Sequence, residues 1–329
     1  MRIAIDAMGG DNAPSALVEG ALKAAQEWTD THIVLVGDAA VIEPLLASGK
    51  PANLEVRHAS EKIEGDEEPV KAIRRKKDSS MAVAGRLVRE GEADAMISAG
   101  NTGALMAAGL LVVGRIDGIE RPALAPMMPT KDDVGVLALD LGANMDAKPE
   151  HLFQYALMGS IYREKVHGMK NPRVGLLNVG TEARKGNELT KAAFDLIEQS
   201  SLNFVGNVEA RDVLDRNCDI LVCDGFVGNI MLKSMEGTAG FLLKTLKEEF
   251  SRSLLTKIAA AIMMPGLKGL RRKMDYKEHG AAPLLGVNGL IMKCHGSSDD
   301  MAVKNAVRQA RIALQGNLIT SITSEISGK

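Results

Sequence analysis

Short apolar runs recur along the chain, and each stops at a glycine or a polar turn. They read IAID at 3–6, HIVLVGD at 32–38, ADAMISAG at 93–100, VGVLALDLGAN at 134–144, RVGLLNVG at 173–180 and CDILVCDG at 218–225. Their apolar residues are continuous rather than alternating, the pattern of strands covered on both faces. Helical patterns lie between them, at Pro14–Trp28, Ala39–Ser48, Glu68–Glu90 with a break near Asp78–Ser80, Thr102–Ile116, Pro149–Val166 and Glu188–Gln199. A last helix is expected over Asp299–Glu325. Strands alternating with helices predict a three-layer α/β/α fold around a mostly parallel sheet. The loop at Pro126–Thr130 reads as the way into an inserted or edge segment. Residues 1–329 are expected to form one composite α/β body, with a protruding helical hairpin at 240–275.

Composition narrows the function. Ten aromatics and 33 glycines in 329 residues give an aliphatic interior and argue against a base-stacking surface. Forty basic against 42 acidic residues, a net charge of −2, leave no global footprint for nucleic acid. Cys218, Cys223 and Cys294 have apolar flanks and read as buried thiols rather than a disulfide scaffold. The start, MRIAIDAMGGD, lacks a signal-peptide core, and no uninterrupted apolar run is long enough for a membrane span. A cytoplasmic, soluble protein is expected.

If the sheet is parallel, the loops after its strands share one rim, where ligands of such folds bind. Asp6, Gly9 and Gly10 form the first turn, without the spacing of a dinucleotide or triphosphate loop. Ser98, Asn101 and Thr102 follow the next run and open a helix, whose N–H groups attract phosphate unless Asn101 is an ordinary cap. Asn144 closes the LDLGAN turn, and His151 just beyond it suits a surface or packing place better than proton transfer. Asn178, Thr181, Glu182, Arg184 and Lys185 place amide, hydroxyl, carboxylate and two cations in one loop. Asn229 follows Asp224 and Gly225 into a helix, where its amide can donate to an oxyanion. His295 ends a further apolar run, ahead of Ser298 or Asp299 as a helix cap. No serine-hydrolase elbow and no metal-binding spacing occurs, so no metal is assigned. Polar donors and a few cations without nucleophile machinery suggest the handling of an anion by position and electrostatics.

Seven segments, in order, carry a resemblance: DAMGGD at 6–11, ISAGNTGA at 97–104, LDLGAN at 139–144, DAKPEH at 146–151, GLLNVGTEARKG at 175–186, CDGFVGN at 223–229 and HGSS at 295–298. The chain resembles the bacterial phosphate acyltransferases of phospholipid synthesis, which use acyl-acyl carrier protein. The resemblance implies a fold related to phosphate acetyltransferases and the isocitrate/isopropylmalate dehydrogenases. It implies transfer of a long-chain acyl group from acyl-acyl carrier protein to orthophosphate, giving acyl phosphate that feeds glycerol-3-phosphate acylation toward phosphatidic acid. It implies a homodimer, no cofactor, and a glycerol-3-phosphate acyltransferase as a neighbouring enzyme. The family's active-site lysine corresponds to Lys185 and its amide to Asn229, with Arg184 adjacent. The mechanism is a direct displacement, with a covalent route through Cys223 as the minor alternative.

The stretch 250–274 contains Arg252, Lys257, Lys268, Arg271, Arg272 and Lys273 and no acid. Leu254, Leu255, Ile258, Ile262, Met263 and Met264 form an apolar stripe, and Pro265-Gly266 reads as the break of a helical hairpin. Its bland role is packing against the body or a second subunit. The sharper roles are docking on the inner face of an anionic membrane, which the resemblance supports, or recognition of an acidic carrier protein. Rival functions are an acetyl-coenzyme A:phosphate acetyltransferase, a dehydrogenase of the related fold and a non-enzymatic membrane scaffold.

Overall fold

The computed structural model describes residues 1–47, 49–274 and 281–328, with residues 265, 267, 268 and 270–274 described by backbone alone. The chain divides into two compact units. Unit 1 comprises Met1–Pro126, Leu157–Pro172 and Gly280–Lys329, and unit 2 comprises Met127–Ala156 and Arg173–His279. The strands form two sheets, one in each unit, rather than the one sheet expected. The Pro126–Thr130 loop is where the chain first passes from unit 1 to unit 2.

Unit 1 holds β1 (Arg2–Asp6), β2 (His32–Gly37), β3 (Leu54–His58), β4 (Ala95–Ser98), β5 (Ala123–Leu124), β11 (Ala282–Leu285) and β12 (Leu290–Lys293). Their order is β3-β2-β1-β4-β12-β11-β5, parallel from β3 to β12 and antiparallel beyond. Helices α1 (Ser15–Glu27) and α10 (Asp300–Gln315) pack on each other and on this sheet. So do α3 (Pro69–Arg75), α4 (Ser80–Arg89) and α5 (Thr102–Ala108), through the cluster described next. Strand alternation sorts the core. Ala4, Val34, Met96 and Ile291 join a cluster with Ile73, Met81 and Leu105, whereas Ile3, Ile5, Ile33 and Ile97 point the other way and are fully buried. Each of these side chains larger than alanine contributes roughly 1.5–3 kcal/mol. Three layers result because both faces of the continuous apolar strands need cover.

Unit 2 holds β6 (Met127–Met128), β7 (Val136–Leu139), β8 (Val174–Asn178), β9 (Phe204–Glu209) and β10 (Ile220–Val222). The order is β6-β7-β10-β8-β9, parallel except at β6. Helix α7 (Glu188–Glu198) packs on β8 and β9. The short α2 (Ala39–Ile42) belongs to unit 1, and α6 (Pro149–His167) is divided between the units after Ala156.

Several element boundaries differ from the sequence pattern. The expected 68–90 helix is two helices, with Ser79 capping the second by accepting from Ala82 N. The final helix breaks at Gly316–Asn317, where Asn317 adopts φ 50°, before α11 (Leu318–Ser327). Asn tolerates that left-handed conformation better than most residues. In unit 2, the long helices α8 (Gly225–Ser251) and α9 (Leu254–Met274) follow one another and are in contact. Their turn lies at Arg252–Ser253, not at Pro265-Gly266, which stays inside α9. The reason is a reciprocal cap. Ser253 Oγ accepts from Thr256 N at 3.1 Å, and Thr256 Oγ1 accepts from Ser253 N at 3.0 Å. That pairing satisfies two end donors at once.

Candidate active site

The loops after β1, β4 and β12 in unit 1 are knitted by side chains. In register, Asp6 pairs with Ser98 and Ser98 with Lys293, so three polar residues stand side by side at the strand ends. Ser98 Oγ donates to Asp6 Oδ2 at 2.6 Å and accepts from Gly100 N at 3.0 Å, while Asp6 Oδ1 accepts from Met8 N at 3.3 Å. Burial pushes the Asp6 carboxyl above its usual range, against the pull of the Ser80 and Ser98 hydroxyls. Gly9 is required here because a Cβ would stand 2.6 Å from Asp6 Oδ2 and 2.8 Å from Gly100 N. Gly10 has φ +108°. Asn101 caps α5 by accepting from Ala104 N at 3.0 Å, and its Nδ2 donates to the carbonyls of Gly65 and Glu67. Thr102 is exposed. His295 is exposed, with Nδ1 accepting from Ser297 N at 3.2 Å.

Lys293 is the residue of this cluster that the sequence reading missed. It is 8% exposed, and its Nζ donates to the carbonyls of Ala99 and Cys294. Burial lowers its pKa, partly offset by Cys294, Asp6 and Asp11. A lysine closing the apolar run LIMKC was the available signal.

In unit 2 the central strand β10 lies between β7 and β8, so the loops after these three strands are neighbours. Asp140 ends the first. Its buried carboxylate accepts from Gly142 N, Ala143 N, Asn144 N and Asn144 Nδ2 at 2.6–3.2 Å. Burial raises its pKa although these four donors act the other way. Helix α8 starts directly against this turn. A Cβ at Gly225 would meet the Asn144 backbone at 2.8 Å, and one at Gly228 would run into the Asp140 carbonyl. Asn229 is half-buried, with its Oδ1 3.3 Å from where a Gly142 Cβ would lie.

The first N–H groups of α8 are already taken. Gly225 N donates to Asn144 O at 3.0 Å, Phe226 N and Val227 N to Asp224 Oδ1 at 3.0 and 2.9 Å, and Gly228 N to Asp224 O at 2.9 Å. A carboxylate therefore already fills the place where a helix start attracts an anion. What α8 offers at this turn is the Asn229 amide. Cys223 is enclosed, donating to Asp140 O at 3.2 Å, and burial pushes its thiol well up, with Asp140 and Asp224 adding to the shift. Such a thiol is a poor nucleophile. His151 is buried, its Nδ1 accepting from Lys148 N at 3.1 Å, so of the surface and packing places expected of it the structure shows packing.

The third loop carries Lys185. Thr181, Glu182, Arg184 and Lys185 are exposed, and Lys185 Nζ is 3.9 Å from Glu182 Oε1. The lysine stem lies over Gly180, whose added Cβ would meet Lys185 Cγ at 3.2 Å. Asn178 does not face outward. Its Nδ2 donates to Lys185 O at 3.1 Å and to Asn207 Oδ1 at 3.0 Å, and its Oδ1 accepts from Val179 N at 2.9 Å. This turn thus combines a mobile cation with a rigid base, and the neighbouring α8 turn adds an amide donor: an arrangement suited to a phosphate and a developing oxyanion.

The model of the fatty acid synthesis protein family matches residues 1–321. Phosphate acyltransferases of Bacillus cereus (strain B4264) and Bacillus anthracis (strain A0248) are each 56% identical over 324 residues, 98% of this chain and 98% of theirs. The chain belongs to the phosphate acyltransferase family. It is an enzyme of acyl transfer within fatty acid and lipid synthesis, as the resemblance in its motifs implied. Among solved structures, a phosphotransacetylase from Streptococcus pyogenes is similar at TM-score 0.60 and 16% identity, over 96% of this chain and 94% of that one. A branched-chain phosphotransacylase from Enterococcus faecalis V583 is similar at TM-score 0.55 and 15% identity, over 95% and 99%. These two likenesses bear out the expected α/β fold class.

Proposed function

We propose that this enzyme transfers a long-chain fatty acyl group from acyl-acyl carrier protein to orthophosphate, giving acyl phosphate for phosphatidic acid synthesis. The observation that carries the reading is 56% identity along 98% of the chain to proteins called phosphate acyltransferase. Hydrogenphosphate attacks the thioester carbonyl carbon through one oxygen. The carbonyl oxygen takes up charge, the C–S bond breaks, and the phosphate proton ends on the carrier thiol. Lys185 binds phosphate and offsets the growing charge, and Asn229 donates to the oxyanion. No protein nucleophile is needed, which agrees with the enclosed Cys223.

In unit 2, Thr181 and Glu182 are proposed to touch substrate beside Lys185; in unit 1, Gly10, Thr102 and His295 keep the proposal of ligand contact, whereas Gly9 is buried against Asp6 and Gly100. The side chains of Asp6, Ser98, Asn101, Asn144 and Asn178 are occupied in shaping their own loops. The same reading makes the enzyme a homodimer and one composite catalytic body, at work in the cytoplasm against the inner face of the membrane, beside the glycerol-3-phosphate acyltransferase. Among the described residues no helix is long and apolar enough to cross a membrane. Membrane contact is assigned in this reading to the α8–α9 pair, where Leu254, Leu255 and Ile262 are 76%, 80% and 76% exposed. Met263 and Met264 are exposed beside them. Lys268, Arg271 and Arg272, assigned the same role, lie outside the residues whose side chains are described.

Initial rates with two donors test the substrate class. A long-chain acyl-acyl carrier protein is expected to support phosphate-dependent thiol release, and a short-chain acyl-coenzyme A is not. The reverse preference would assign the enzyme to acetyl-type transfer.

A further inference from the structure

Asn207 carries no assigned role, yet it is 6% exposed and polar in the middle of β9. Its amide is spent on the Lys185 loop. Oδ1 accepts from Asn178 Nδ2 at 3.0 Å, and Nδ2 donates to Glu182 O at 2.8 Å. Asn178 Nδ2 reaches on to Lys185 O at 3.1 Å, and Lys185 N donates to Glu182 O at 3.0 Å. Two side-chain amides therefore grip both ends of the Glu182–Lys185 turn from beneath. Gly186 completes the grip. It has φ +99°, and a Cβ there would stand 2.5 Å from Asn178 Oδ1.

The strand itself is built to aim Asn207 this way. Val174 pairs with Phe204, but Gly175 pairs with Gly206, so β9 carries one extra residue at Val205. Gly206 has φ +88° there, a conformation that suits glycine. Beyond this bulge Asn207 lies opposite Leu176, on the same face as Asn178. With no extra residue it would lie opposite Leu177 and point to the other face, because side chains alternate along a strand. A bulge that re-aims one side chain is a recurrent device next to active sites.

We infer that Asn207, through Asn178, is a positioning residue that holds the Lys185 loop in its working geometry. This rests on the reading of Lys185 as the phosphate-binding cation. A misplacement of about 1 Å in such a group costs as much as 100-fold in rate. Asn207→Leu keeps the branching and the number of side-chain heavy atoms, though it is bulkier, and makes neither bond; it is expected to lower kcat about 10- to 100-fold with KM for the acyl donor changed less than about twofold.

The test is a double-mutant comparison of thiol release in wild type, Asn207→Leu, Lys185→Ala and the pair. If Asn207 acts through Lys185, Asn207→Leu lowers kcat strongly in the wild type and less than about twofold in the Lys185→Ala background. Equal losses in both backgrounds would assign Asn207 a merely structural role and overturn the inference. Full activity of Lys185→Ala would instead overturn the reading of Lys185, and the positioning role with it. Hydrogen exchange supplies a readout independent of activity. Amides of 179–186 should exchange faster in Asn207→Leu while those of β8 and β10 keep their rates, and an unchanged loop would equally refute the inference. Asn207→Ser, which can retain one of the two bonds, should fall between wild type and Asn207→Leu, and it carries the same comparison if the leucine variant does not fold.

Discussion

Lys185 and Asn229 are chemically different, and the roles proposed for them fit their different environments. The lysine is exposed on a supported loop, so its cation can follow phosphate. Asn229 is half-buried near the start of a long helix, close to Gly142, a less mobile place for the proposed oxyanion donor. Loss of one fixed oxyanion donor typically costs about 100- to 1,000-fold in kcat. Asn229→Ala is expected to lose activity on that scale with little change in KM, whereas Cys223→Ala keeps most of it; steady-state thiol release measures both. These loops were legible in the sequence because glycine and polar residues directly follow apolar runs. Asn207 and Lys293 were not. Lys293 was passed over because a lone lysine at the end of an apolar run does not show that it will be buried, which depends on the pairing of β12 with β4, and the facing of Asn207 depends on the Val205 bulge.

Elements hold these residues in place through a few specific contacts. The entry to β8 and the entry to β10 are tied by Arg173 and Asp219. Arg173 Nε donates to Asp219 Oδ2 at 3.0 Å, Nη2 to Oδ1 at 3.1 Å, and the backbone N to Oδ2 at 2.8 Å. Burial alone would raise the Asp219 pKa, but the Arg173 bonds and charge, with Arg216 behind them, hold it below the usual carboxylate range. A lowered pKa means that this stabilisation is present above the unfolded value of about 3.9 and fades as pH falls through the folded value. Asp219→Asn should therefore cost about 1.5–3 kcal/mol near neutrality, and its urea-denaturation curve should converge on that of the wild type in acid. The hairpin gives a second prediction at this scale. Charging Leu255, Met263 and Met264 together should abolish flotation with anionic vesicles and leave thiol release from the soluble donor intact; unchanged flotation would remove the membrane role. The position of the hairpin turn was misread because proline is a strong local signal. The Ser253–Thr256 reciprocal cap, only four residues long, settles it instead.

Across the whole molecule, the parallel α/β character was readable from continuous apolar runs, since both faces of each sheet need cover. The division into two sheets was not. It turns on short edge strands, Ala123–Leu124 and Met127–Met128, that flank Pro126 and carry little pattern of their own. Gathering polar donors and cations at strand ends, with the cysteines buried and inert, fits a reaction driven by placement rather than by covalent catalysis. The measurement that bears on this most directly combines purified protein, orthophosphate and long-chain acyl-acyl carrier protein, with acyl phosphate and free carrier thiol quantified together. One acyl phosphate is expected for each thiol released, with no release when phosphate is omitted. Thiol release that proceeds equally without phosphate, or that yields no acyl phosphate, would contradict the account.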